Sequence, residues 1–215
     1  MGFLFGYHPL ESFHICVKHK SSRDFVRCFC WIPFMAKIAV LGSGTGSNFQ
    51  ALVEEFGDEI VLVISDQPGA GILEKAKAFG IPTAVEVGGA DLSARILKRL
   101  GGVDLICLAG YMRLVKEPLL SAFPNRILNI HPSLLPKYPG KAAWEQALAD
   151  QAEVTGCTVH YVDAGIDTGE VILQEKVAVL IDDTATALHA RIQIAEHRVY
   201  PQAVKWVLKK MSGRV

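Results

Sequence analysis

The chain has 215 residues, enough for one domain or for one domain with an appendage. Half of its residues are hydrophobic, and 22 basic side chains balance 22 acidic ones, which removes any bulk electrostatic pull toward nucleic acid or a membrane surface. No apolar run nears the ~20 residues needed to span a bilayer, and five cysteines without a disulfide spacing point to a reducing, cytoplasmic compartment.

Residues 1–34 differ in character from the remainder. They hold three of the five cysteines and three of the seven histidines, with no clear period. The order of charged, apolar and small residues that marks a signal peptide is missing. Cys28-x-Cys30 lacks the spacing of a common zinc module. This segment reads as an N-terminal extension, either poorly ordered or preceding a natural start at Met35, and dispensable for folding and activity. Residues 35–215 read as a single domain.

Residues 37–41 form a short buried strand that runs into Gly42-Ser43-Gly44-Thr45-Gly46-Ser47-Asn48 and then a helix with Phe49, Leu52, Val53 and Phe56 inward. Strand, glycine turn and helix start make a phosphate cradle, because glycine allows close backbone approach and the first helical N–H groups face the anion. A plain tight turn with Ser47 or Asn48 as N-cap is the bland reading of the same residues. Residues 60–64 are a second strand ending at Ser65-Asp66, and an acid there is where a dinucleotide fold grips a ribose. A helix over 69–79, a strand over 82–87, a helix over 92–100 and a strand over 103–108 follow. Arg95, Lys98 and Arg99 read as a solvated face.

Gly110 and its apolar neighbours 111–115 offer backbone edges and a greasy wall to a planar ligand, or else they pack in the core. The next strand, 127–130, ends at Asn129-Ile130-His131-Pro132, since proline gives no N–H to a sheet. Asn129 and His131 then project from one face at the carboxyl end of a strand, where open α/β sheets bind ligands. An amide and an imidazole together can donate to an oxygen that is turning negative. A helix over 142–148, a strand over 154–162, a glycine-flanked acidic loop at 163–169, a strand over 171–179 and a long helix from Thr184 to about residue 209 complete the chain. The expected fold is α/β and Rossmann-like: a mostly parallel twisted sheet flanked by helices, with an antiparallel strand pair near the C-terminal end.

Five stretches together resemble the folate-dependent phosphoribosylglycinamide formyltransferase family. They are Gly44-x-Gly46-Ser47-Asn48, Leu108-Ala109-Gly110-Tyr111-Met112-Arg113, Asn129-Ile130-His131-Pro132-Ser133-Leu134-Leu135-Pro136, the loop holding Asp167, and Gln193-x-x-Glu196-His197. The resemblance implies a catalytic trio of Asn129, His131 and Asp167. It implies a ribonucleotide phosphate site at Gly46, Ser47 and Asn48, with Gln193 and Glu196 at the ribose end. It places Met112, Arg113, Leu114 and Val115, with Asn129, in the folate pocket. The implied donor is 10-formyltetrahydrofolate, acting as a co-substrate. The implied partners are small molecules, with no nucleic acid and no membrane, and the assembly is a monomer or weak homodimer. No metal is expected, because no His, Cys, Asp or Glu set in residues 35–215 has metal spacing.

A cationic His131 near pH 7 would need a carboxylate beside it, and Asp167 is preferred to Asp163 for that role. His160 reads as a core or edge histidine, and His197 as shaping the nucleotide end. Trp144 and Ala142 stand where some relatives carry polar residues. The folate-holding base of relatives has no clear match; Arg95 is nearest. The rivals are another 10-formyltetrahydrofolate-dependent formyltransferase or hydrolase and, further off, a nicotinamide-dinucleotide-binding enzyme using Asp66.

Overall fold

The computed structural model describes residues 35–213, so the expectations for residues 1–34 lie outside it. The first half of the chain alternates strand and helix: β1 (Ile38–Leu41), α1 (Ser47–Phe56), β2 (Ile60–Ser65), α2 (Gly71–Ala78), β3 (Thr83–Val85), α3 (Leu92–Arg99) and β4 (Leu105–Leu108). The second half holds α4 (Leu119–Ala122), β5 (Ile127–His131), α5 (Ala143–Ala149), β6 (Val154–Tyr161), β7 (Val171–Ala178) and α6 (Ala185–Met211). The strands form one sheet in the order β3-β2-β1-β4-β5-β6-β7. The first five run parallel, and β6 and β7 are antiparallel to their neighbours. The sheet is therefore the mostly parallel, Rossmann-like one expected.

The central strands read IAVL and LICL and are buried on both faces, as parallel strands covered by helices must be. Their alternation sorts side chains into two layers. Ile38, Val40, Leu105 and Cys107 pack with Phe49, Leu52, Ile192 and Val204 under α1 and α6. Ala39, Leu41, Ile106 and Leu108 pack with Leu92, Ile96 and Leu119 under α3 and α4. Each fully buried Leu, Ile, Val or Phe side chain contributes roughly 1.5–3 kcal/mol. The Tyr200 hydroxyl of α6 lies 2.9 Å from the Leu108 carbonyl and 3.2 Å from that of Leu128, fixing the long helix over the β4–β5 seam. Thr184 caps α6 by accepting from the Ala187 amide at 3.1 Å. Among the described residues no helix is long and apolar enough to cross a membrane.

Several boundaries shift by one or two residues from the sequence reading. Helix α2 starts at Gly71, because the residues before it form a turn in which the Ala70 amide bonds the Gln67 carbonyl. Strand β3 keeps three residues, the length over which it pairs with β2. The expected solvated face of α3 is exposed at Lys98 and Arg99, and it carries ion pairs as well: Arg95 and Arg99 each hold the buried Glu86 carboxylate at 2.9 Å.

Candidate active site

A cavity of about 610 Å³ opens at the carboxyl ends of β4 and β5, within the usual range for a small-molecule site. Asn129 and His131 leave β5 on one face and line it. Asp167 enters from the loop after β6, and its carboxylate ties the group together. Its Oδ2 lies 3.3 Å from His131 Nδ1 and accepts from the Gly140 amide at 2.8 Å. Its Oδ1 accepts from Asn129 Nδ2 at 3.4 Å. Asp167 takes a left-handed backbone (φ 55), a conformation Asp tolerates better than most residues. The turn that aims it rests on Gly169, where a Cβ would meet the Tyr161 carbonyl oxygen at 1.8 Å.

His160 joins these three. It stands opposite Asn129 in the β5–β6 register, with Nε2 3.2 Å from Asn129 Nδ2 and 3.5 Å from Asp167 Oδ1. The sequence reading set it aside as a core or edge histidine. It is buried, and it also lines the cavity. The rival Asp163 is turned into its own loop, where it accepts from the Gly165 amide and the Thr168 hydroxyl.

Burial and partners set the charges here. Burial works against the Asp167 carboxylate, but His160, the Gly140 amide and His131 together hold its pKa below the ordinary 3.8. His131 has acceptors at both ring nitrogens, Asp167 at Nδ1 and the Tyr138 carbonyl 2.8 Å from Nε2. A neutral ring has only one N–H, so the pair of acceptors favours the cation. Burial of the ring outweighs them, with His160 adding to it, and the pKa falls below 6.5. The structure supplies the carboxylate that a cationic His131 would need, while burial of a ring only 4% exposed pulls its pKa the other way.

One wall of the cavity is the 111–115 segment. Met112 and Leu114 are exposed at its mouth, while Tyr111 and Val115 are buried beneath. Arg113 Nε donates to the buried Asp66 at 2.7 Å, so the acid that a nicotinamide fold would use for ribose is already engaged. Arg95 is likewise held by Glu86, Asp91 and the Val87 carbonyl. Ala142 and Trp144 line the opposite side, and the Trp144 ring stacks on His189 with centroids 3.8 Å apart.

The glycine turn lies at the end of β1, where the parallel order reverses between β2 and β4. Gly46, not Ser47 or Asn48, is the N-cap of α1, and no side chain caps the helix. The first-turn amides therefore remain available to an anion. Gly46 has φ 74, and a Cβ there would lie 2.9 Å from the Ile72 Cα, so only glycine fits. Asn48 is buried, donates to Glu196 Oε2 at 2.8 Å and keeps an unpartnered Oδ1. Glu196 is buried as well, and burial pushes its pKa up to about 7 against the pull of Asn48. Gln193, three residues earlier on α6, is half-buried. Ser47, Lys75 and His197 border a second cleft of about 650 Å³ between α1, α2 and α6.

These features define an α/β protein with an amide, two imidazoles and a carboxylate converging at the carboxyl edge of its sheet. The family model described as formyl transferase matches residues 36–204. Phosphoribosylglycinamide formyltransferase of Bacillus subtilis is 42% identical over 186 residues, covering 81% of this chain and 95% of that protein. The trifunctional purine biosynthetic protein adenosine-3 of Drosophila melanogaster is 45% identical over 184 residues, which is 78% of this chain and 14% of that much longer protein. The chain likewise spans 18% of the human protein of the same name. A crystal structure of glycinamide ribonucleotide transformylase 1 from Symbiobacterium toebii superposes with a TM-score of 0.77 at 47% identity, over 79% of this chain and 86% of that one. Phosphoribosylglycinamide formyltransferase from Streptococcus pneumoniae TIGR4 gives 0.77 at 44% identity, over 80% and 99%. The chain belongs to the formyl transferase family.

Proposed function

We propose that this protein transfers the formyl group of 10-formyltetrahydrofolate to the amine of glycinamide ribonucleotide, a step in making the purine ring. The observation that carries the reading is the Asp167 carboxylate held between His131 and Asn129 in the main cavity. The similarity to the B. subtilis enzyme over nearly all of its length supports the substrate pair.

The amine attacks the formyl carbon, a C–N bond forms, and charge collects on the formyl oxygen. Asn129 donates to that oxygen, and His131 does so once substrate binding frees a ring N–H from Asp167 or the Tyr138 carbonyl; a donor of this kind is worth roughly 3–4 kcal/mol in transition-state stabilisation. Asp167, ionised at neutral pH, takes the proton from the new ammonium group, directly or through a water, and returns it to the folate nitrogen as the old C–N bond breaks. Residues 112–115 form the folate-side wall. Gly46, Ser47 and Asn48 receive the phosphate. Gln193 and Glu196 frame the ribose end, Glu196 by holding Asn48. The protein acts on small molecules in the cytoplasm, as a monomer or weak homodimer, through its single domain of residues 35–215.

The test is incubation with both substrates, with the products resolved by mass. Formylglycinamide ribonucleotide together with tetrahydrofolate supports the reading. Free formate would indicate a hydrolase, and no turnover with the ribonucleotide would indicate another amine acceptor.

A further inference from the structure

Asp66 is a charged side chain with no part in the chemistry above. It follows β2 directly and is 2% exposed. Its ionic partner, Arg113, is 47% exposed, and a pair so open to solvent adds little net stability, so the burial of the carboxylate calls for another explanation. Its Oδ2 accepts from Arg113 Nε at 2.7 Å and from Gln67 Nε2 at 2.9 Å. The Arg113 guanidinium lies over Gly88, with its Cζ 3.5 Å from where a Cβ would stand there. Burial opposes the Asp66 charge, while the Ser43 hydroxyl, Arg113 and Gln67 together keep its pKa below the ordinary value. Ser43 in turn grips the same wall: its amide donates to the Gly110 carbonyl at 3.0 Å, and its hydroxyl accepts from the Met112 amide at 2.9 Å. One buried carboxylate thus stands under the folate-side wall at Arg113 and beside the first residues of the glycine turn.

We propose that Asp66 is a positioning residue: it pins Arg113 and, with Ser43, fixes the 110–114 backbone in the shape that receives the folate donor. This rests on the folate reading of the cavity. Tyr111 and Val115 anchor the wall in the core, but the residues between them that face the cavity are open, Met112 and Leu114 being 63% and 55% exposed. A charge-assisted hydrogen bond supplies the order that apolar burial does not.

The experiment pairs amide exchange on the full, ligand-free chain with kinetics. Asp66→Asn keeps the shape and removes the charge. Exchange across residues 109–115 should quicken about tenfold or more, as expected for a lost bond to a charged group. The KM for 10-formyltetrahydrofolate should rise by about the same factor, with kcat and the ribonucleotide KM near parental values. In the Asp66→Asn/Arg113→Met double variant the folate KM should match that of Arg113→Met alone, because the two residues act as one unit. Unchanged exchange, or a rise confined to the ribonucleotide KM, overturns the proposal. Should Asp66→Asn fail to fold, Asp66→Glu keeps the charge, moves it off the Arg113 Nε contact and is read in the same way. If the parent neither binds nor turns over the folate, the functional reading fails, and the exchange result still decides whether Asp66 fixes this segment.

Discussion

Asn129 and His160 face each other across the antiparallel β5–β6 pair, and their side chains meet at 3.2 Å. His160 Nδ1 lies 2.8 Å from the Tyr161 carbonyl. His160 Nε2 lies between Asn129 Nδ2 and Asp167 Oδ1, and together these contacts set the way the amide points. Replacing His160 by Ala frees that amide to rotate. The expected cost is about tenfold to a hundredfold in kcat, with both KM values little changed. Steady-state kinetics on folded His160→Ala check this; a parental kcat would return His160 to a purely structural role.

Asp167→Asn keeps the size of the side chain but loses the charge that faces His131 at 3.3 Å. Turnover should fall by two or more orders of magnitude, because the amine proton then has no carboxylate to receive it. Circular dichroism should show the fold intact. A rate within a few-fold of the parent would remove Asp167 from the proton path.

Ser47→Ala and Asn48→Ala act on the other substrate. Each should raise the ribonucleotide KM by about tenfold to a hundredfold, the value of one hydrogen bond to a charged group. An effect confined to the folate KM would contradict the placement of the phosphate on α1.

Glu196 makes stability depend on pH. Its pKa is about 7 in the folded chain and returns to the ordinary 4.5 on unfolding. Between those values the folded state holds more protons than the unfolded one, so stability falls as pH rises through the window and stays lower above it. Glu196→Gln keeps an acceptor for Asn48 and has no charge to bury. Above pH 7 it should be more stable than the parent by on the order of 2 kcal/mol, and the difference should vanish near pH 4. Thermal melts at several pH values check this; parallel curves for the two proteins would contradict it.

Much of the sheet was legible because buried parallel strands read as short continuous apolar runs, as at 38–41 and 105–108. The end of β5 was legible because His131-Pro132 stops a ladder. What was not legible depends on register. His160 joins the site only through its pairing with Asn129, and single-sequence periodicity does not give a partner strand. An antiparallel pairing of 154–162 with 127–131 would have been the signal. That Arg95 and Arg99 also pair with Glu86 was not legible, because nothing local shows that Glu86 is buried beside them. Asp66 read as a possible ribose ligand because its partner, Arg113, is 47 residues away. The burial of His131 was not legible either, because a neighbouring acid can be inferred from sequence and the depth of burial cannot.

The most direct test is formyl transfer from 10-formyltetrahydrofolate to glycinamide ribonucleotide, followed by folate absorbance, with His131→Ala measured beside the parent. The account predicts transfer by the parent and a loss of about a hundredfold to a thousandfold in the variant. A variant that keeps the parental rate would contradict the assignment of His131, and a parent that leaves the ribonucleotide unformylated would contradict the proposed reaction itself.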